Sequence, residues 1–315
     1  MSNSLLRKVS SLVSLACALA VCPAWSQEPG IRPRVPQQRP AAPNAPQAPR
    51  EPFQLTAQEL QRMDLILAAW ERESDKVKLF KCAFTRWDYD FTWGPKQNDF
   101  LMSERHGTIA YRAPDNGTFK ETEMKTYDAA KDKYVESKEA LEHWVCDGNA
   151  IYQFQPKITT LEVTELPPAM RGKAITEGPL PFLFGAKAAT LKQRYWIRET
   201  TPQEQKGKQV WLEAWPKFRE QAANFKRVEV ILGASDLMPV GMQVYTPAGK
   251  DRTAYLFENR KVNDRVGDLI KLDFLPPMTP LGWKRVVNPY TPPTAEKPEA
   301  GKLRQAERPQ SNALR

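Results

Sequence analysis

Trp144-Val145-Cys146-Asp147-Gly148-Asn149-Ala150-Ile151-Tyr152-Gln153-Phe154-Gln155-Pro156 decides the fold. Two short runs of β-forming residues flank Asp147-Gly148-Asn149. Gly and Asn tolerate positive φ, so the stretch predicts a β-hairpin. The neighbouring strands are Leu141 to Cys146, Ala150 to Gln155 and Thr159 to Glu165. Leu166-Pro167-Pro168-Ala169-Met170 then breaks the sheet, because proline cannot donate to a ladder.

Toward the N-terminus, Thr56-Ala57-Gln58-Glu59 is a capping-box pattern. Leu60, Met63, Leu67 and Trp70 follow at spacings of three and four, with Val77 in phase, and predict one amphipathic helix over 56–78. Phe80 to Phe91 is strand-like, with Phe80, Cys82 and Phe84 on one parity and Trp87, Tyr89 and Phe91 on the other. A bulge near Thr85 would bring both sets to one side. His106 to Tyr111 is a second strand. It ends in the turn cluster Arg112 to Gly117, and Thr118 to Thr126 returns. The charged stretch 127–140 reads as an elaborated loop or short helix.

Toward the C-terminus, Gly178-Pro179-Leu180-Pro181-Phe182-Leu183-Phe184-Gly185 leads into a second helix at Ala186 to Lys192. Five strands follow: Tyr195 to Thr200, Gln209 to Trp215, Phe225 to Gly233, Pro239 to Thr246 and Thr253 to Val262. Asp273 to Trp283 closes the core through Phe274-Leu275-Pro276-Pro277. The whole reads as an antiparallel meander with two helices. Strand and helix do not alternate, which argues against a parallel α/β sheet.

The ends lie outside this core. Arg7 and Lys8, the apolar run Val9 to Cys22, and Ala24-Trp25-Ser26 make 1–26 a secretory leader cleaved after Ser26. The run is short for a membrane span, which needs ~20 apolar residues. Cys17 and Cys22 raise a lipoprotein leader as an alternative, although Ser14 and Val21 fit that pattern poorly. Residues 27–52 are a Pro-rich tether, 53–290 one folded domain and 291–315 a polar tail. The net charge of +9 is spread rather than clustered and reads as solvated surface, so nucleic acid is not an expected partner. Cys82 and Cys146 remain after the leader. An exported pair invites a disulfide, and two buried thiols are the alternative because both lie in predicted strands.

Motifs for chemistry are sparse. The two histidines, His106 and His143, form no metal pattern with each other or with the cysteines, so no metal or cofactor is expected. Asp88 and Asp90 alternate on a strand and read as exposed carboxylates. His143 near Cys146 is too slight a constellation to make a nucleophile. The expectation is a protein that is not an enzyme.

Several segments resemble, in order, the periplasmic lipoprotein carrier superfamily (the localisation-of-lipoproteins A and B type). They are Phe80-Lys81-Cys82-Ala83-Phe84-Thr85, Ile109-Ala110-Tyr111-Arg112-Ala113-Pro114, the Asp147-Gly148 hairpin, Pro181-Phe182-Leu183-Phe184, Phe225 to Val230 and Phe274-Leu275-Pro276-Pro277. Phe84-Thr85-Arg86-Trp87 and Gly178 to Lys187 also resemble a group of secreted planctomycete domains without an assigned activity. The resemblance implies an α+β, mostly antiparallel fold. Its form is an incompletely closed, curved β-barrel whose N-terminal and mid-chain helices cover an apolar cavity. It implies an envelope protein of the periplasm that holds lipid or lipoprotein acyl chains, with peripheral membrane contact. A protein-binding scaffold or stress sensor on the same fold is the alternative. Arg112 matches the superfamily's lid-controlling position, although Ala113 here separates it from Pro114. Trp70, Phe84, Trp87, Trp144, Tyr152, Phe154, Phe182 and Phe184 are the expected lining.

Overall fold

The computed structural model describes residues 49–172, 182–183, 187–264 and 274–291. The leader, nearly all of the tether, Phe184 and the tail beyond residue 291 lie outside the described residues.

Helix α1 is Ala57–Asp75. It starts where the capping box predicts: the Glu59 amide donates to Thr56 Oγ1 at 3.3 Å and the Thr56 amide donates to Glu59 Oε2 at 2.8 Å. Met63, Leu67 and Trp70 form its buried stripe. Leu60, expected to head that stripe, is exposed. The helix stops three residues short of its predicted end, at a corner built by Asn263. Asn263 Nδ2 donates to the Lys76 carbonyl at 2.8 Å, and its Oδ1 accepts the amides of Lys78 and Leu79 at 2.7 and 3.0 Å.

The strands are β1 Leu79–Tyr89, β2 Leu101–Arg112, β3 Asn116–Asp128, β4 Lys133–Glu136, β5 His143–Cys146, β6 Ala150–Gln155 and β7 Thr160–Glu165. Helix α2, Ala188–Arg194, then precedes β8 Tyr195–Glu199 and β9 Gln209–Pro216. The short helix α3, Arg219–Ala222, leads into β10 Arg227–Gly233, β11 Pro239–Tyr245, β12 Arg252–Val262 and β13 Lys284–Asn288. All thirteen join one sheet in the order β13-β7-β6-β5-β3-β2-β1-β12-β11-β10-β9-β8, with β4 paired to β3. Two antiparallel meanders therefore meet at the β1–β12 ladder. The terminal strands β13 and β8 do not pair, so the sheet is open rather than a closed barrel. Strands as distant in this order as β5 and β8 share one core with α1, so the sheet bends around that core. This is the mostly antiparallel, incompletely closed architecture with few helices that the resemblance implies.

The Asp147-Gly148-Asn149 hairpin forms with Gly148 at φ 87°. Asp147 Oδ1 accepts the amides of Asn149 and Ala150, both at 2.8 Å. Elsewhere the structure departs from expectation. The charged stretch 127–140 contains a β-hairpin rather than a helix: β4 pairs with β3 and brings Tyr127 to 5.7 Å from Tyr134. β13 is absent from the sequence reading, and it pairs with β7 in parallel. The parity of β1 does not switch at Thr85. Its register against β2 runs unbroken from Leu79 to Asp88, so Trp87 faces away from Phe80, Cys82 and Phe84.

Cys82 and Cys146 are both buried free thiols. The β2 and β3 strands separate β1 from β5, three strand spacings of ~4.8 Å, whereas a bridge needs Cα atoms within ~7 Å. Cys146 Sγ donates instead to the Asp115 carbonyl at 3.4 Å.

Candidate functional site

The inner face, packed against α1, reads in rows across the strands. Nearest α1 come Phe80 and Tyr111, then Cys82, Ile109, Phe119 and Trp144. The next row holds Phe84, Gly107, Glu121 and Phe257. Beyond it the same parity brings Arg86, Arg105 and Tyr255, then Asp88, Ser103 and Thr253. Along β1 the face thus changes from apolar to charged between Phe84 and Arg86.

An aromatic row crosses the apolar part. Trp144 stacks on Phe119 at 6.1 Å and Phe119 on Phe84 at 4.7 Å. Tyr255 lies 6.1 Å from both Phe84 and Phe257. The Phe84 ring reaches Phe119 by lying over the bare Cα of Gly107, where an added Cβ would stand 2.5 Å from Phe84 Cζ. Aromatic walls without directional demands suit an apolar chain.

The α1 helix buries its apolar stripe in the same core as this face. Its polar ties run along its rim to α2 and β8. Arg62 pairs with Glu199, Lys192 Nζ donates to Asp64 Oδ1 at 2.9 Å, and Lys187 Nζ donates to Asp75 Oδ1 at 2.7 Å. Five of these side chains, Arg62, Asp64, Asp75, Lys187 and Lys192, are more than half exposed. Exposed pairs contribute only ~0–1 kcal/mol each. Burying Met63, Leu67 and Trp70, at ~1.5–3 kcal/mol per side chain, is the larger restraint. Beside the N-terminal end of α1 lies an open cleft of about 720 Å³ whose lining is as polar as it is apolar, including Phe53, Leu55, Glu59, Arg62, Met63 and Glu199.

Of the expected lining, Trp70, Phe84 and Trp144 meet on or against the inner face. Phe182 joins the same core and packs on Tyr195 of β8 at 5.0 Å. Trp87, Tyr152 and Phe154 do not join them. Trp87 lies on the outer face, where its Nε1 donates to Glu104 Oε2 at 2.9 Å. Tyr152 packs with Val145, Leu161 and Val163 in a second cluster, and Phe154 packs against it. Arg112 closes β2. Its Nε and a terminal nitrogen donate to Asn116 Oδ1 at 3.0 and 2.8 Å, and its guanidinium lies 5.0 Å over Phe274. The residues missed from the sequence are Phe119, Gly107, Tyr255 and the charged set Arg86, Arg105, Glu121 and Glu142. The continued parity Phe80-Cys82-Phe84-Arg86-Asp88 carried that signal.

On the outer face His143 stacks on Phe154 at 4.2 Å, and Phe154 meets Trp283 at 6.2 Å. Burial, then nearby Lys120, pushes the imidazole down to about 4. An unfolded imidazole protonates near 6.5. The stabilising contribution of His143 is therefore whole above pH 6.5 and is lost as pH falls toward 4. His143→Phe, which keeps the stack without the proton site, is expected to lose less Tm than wild type between pH 7 and pH 4. Thermal unfolding at both values checks this, and equal losses would contradict it.

No protein-family model matches the chain, and no curated protein matches it. Solved structures do resemble it. One is described as an uncharacterized conserved protein from Thermus thermophilus, with TM-score 0.39 and 10% identity, over 72% of this chain and 100% of that one. A LolA superfamily protein from Nitrosomonas europaea has TM-score 0.30 and 9% identity, over 68% of this chain and 99% of that one. The MucA/MucB complex of Pseudomonas aeruginosa has TM-score 0.30 and 12% identity, over 64% of this chain and 58% of that one. The second belongs to the superfamily that the sequence motifs resemble. At TM-scores below 0.5, none of the three lends weight to a function; the inner face must supply it.

Proposed function

We propose that this protein is a non-enzymatic binding protein of the cell envelope that holds an acyl chain of a lipid or lipoprotein against its inner face. One observation carries the reading. The buried stripe of α1 shares one core with an aromatic-walled face, while its polar ties lie mostly exposed on the rim. An acyl chain can replace Met63, Leu67 and Trp70 there at little net loss of apolar contact. Phe84, Trp144 and Phe182 line the site, Trp70 covers it from α1, and Arg112 steadies the Phe274 segment at its border. Export by the 1–26 leader, with 27–52 as tether and 291–315 as tail, belongs to the same reading.

Binding without catalysis fits the thiols, since burial pushes Cys82 and Cys146 up to about 12 and leaves them protonated and unreactive. Among the described residues no helix is long and apolar enough to cross a membrane. The test is titration with the neutral apolar fluorophore N-phenyl-1-naphthylamine. Saturable enhancement at one site per chain, competed by an acyl chain, is expected; a flat titration would refute the reading. A scaffold for a protein partner is the second reading. It is favoured by β13, a sheet-edge strand whose five residues are all exposed and which offers an edge for strand addition.

A further inference from the structure

The charged end of the inner face adds a head-group preference to the acyl-chain reading, on which it rests. Five ionised side chains meet there from β1, β2, β3 and the segment before β5. Arg86 Nε donates to Asp88 Oδ1 at 2.9 Å, and a terminal nitrogen donates to Glu121 Oε1 at 3.4 Å. Arg105 donates to Glu121 Oε2 at 2.9 Å and lies 3.3 Å from Asp88 Oδ2. Asp88 also accepts from Ser103 Oγ at 2.8 Å and Thr253 Oγ1 at 2.9 Å. Glu121 also accepts the Glu142 amide at 2.9 Å. Both oxygens of Asp88 and of Glu121 are therefore occupied, and both guanidiniums pair with them, although the buried Arg105 Nε finds no hydrogen-bond acceptor.

Three carboxylates face two guanidiniums, so one negative charge is left over. It falls on Glu142. Its ion-pair contact with Arg86 is 3.8 Å, beyond hydrogen-bond length, and its side chain is 43% exposed. The other four members are 0–23% exposed. The Trp144 side chain hydrogen-bonds Glu142, Phe119 stacks on Trp144 at 6.1 Å, and Tyr255 lies within 5.8 Å of the Arg86 guanidinium. Burial pushes the Glu142 carboxyl up, Arg86 pulls it back, and like-charged Glu121 raises it again. A cation beside it would relieve that repulsion. An anionic head would instead meet a surplus negative charge. The chain as a whole is basic, at +9, so this local sign is the reverse of what bulk charge predicts.

We propose that Glu142, together with the Trp144 ring, seats an ammonium group at the head of the bound chain, so that the preferred ligand is a long-chain amphiphile with a cationic head. A carboxylate beside aromatic faces is a recurring setting for such groups.

The test compares dodecylammonium with dodecanoate at pH 7.5, both below their aggregation concentrations, as competitors for bound N-phenyl-1-naphthylamine. Dodecylammonium is expected to displace the fluorophore at about tenfold lower concentration, and the preference is expected to shrink as salt is raised. Glu142→Gln, which removes the surplus charge while keeping the side-chain shape, is expected to abolish most of that difference. Equal displacement, or a preference for dodecanoate in the wild-type protein, would overturn the proposal without any variant. A preference that survives in Glu142→Gln would also overturn it. A fluorophore that does not bind at all would fail the acyl-chain reading itself, whereas fluorophore binding without a head-group preference would fail only this inference.

Discussion

Gly107→Ala is expected to lower stability by about 3 kcal/mol, at the upper end of what overpacking a filled core costs. For a domain of this size that corresponds to a Tm lower by roughly 6–12 °C. Gly107 sits in the middle of β2, directly opposite Phe84 on β1 and Glu121 on β3. A Cβ there would run into the Lys120 carbonyl oxygen of the neighbouring strand and stand 2.5 Å from Phe84 Cζ. The carbonyl belongs to a strand backbone and cannot swing aside. Phe84, only 1% exposed, has no open side to rotate into. Relief requires moving β2 against β3 or lifting Phe84 off Phe119, and either breaks the aromatic row. Thermal unfolding and near-ultraviolet dichroism check this. An alanine variant with wild-type Tm would show that the Phe84 ring does not lie over β2.

Trp70→Ala is expected to cost about 3–5 kcal/mol of stability, as for other large-to-small changes at filled sites. Trp70 is the largest side chain of the α1 stripe and is 3% exposed. The same change is expected to tighten N-phenyl-1-naphthylamine binding, since less apolar contact must be surrendered when a chain enters. If ~1.4 kcal/mol of the loss appears in opening α1, affinity rises about tenfold. Leu161→Ala is the control. Leu161 is fully buried in the second cluster, so truncating it destabilises comparably without touching the α1 contact. Tighter binding in Trp70→Ala but not in Leu161→Ala supports α1 as the mobile cover. Equal effects, or none, would count against it.

Most of the sheet was legible because alternation and turn chemistry agreed along the chain. Asp147-Gly148-Asn149 made its hairpin through the Asp147 side chain, and Thr56 with Glu59 began α1. β13 was not legible: Lys284-Arg285-Val286-Val287-Asn288 has little apolar periodicity, and its pairing with β7 spans more than a hundred residues. β4 depends on the Tyr127–Tyr134 contact and on Asp128 accepting the Ala130 amide, and its polar composition hid it.

The make-up of the inner face was half legible. Trp70, Phe84 and Trp144 stand out as bulky apolar residues in the right elements. Trp87, Tyr152 and Phe154 look the same by composition, although strand parity sends them to the outer face. Taking Trp87 as a core residue required a bulge at Thr85, and that supposition concealed Arg86 and Asp88 on the inner face. Charged residues are rarely expected inside a sheet. Here Arg86, Arg105, Asp88 and Glu121 are tolerated because opposite charges pair with one another.

The central claim is that α1 and a bound chain compete for the same face. Hydrogen exchange of the full protein, with and without saturating dodecylammonium, tests it most directly. The account predicts that amides of Ala57–Asp75 lose protection on binding while those of β1, β2 and β12 keep or gain it. Saturable binding with α1 protection unchanged would contradict it.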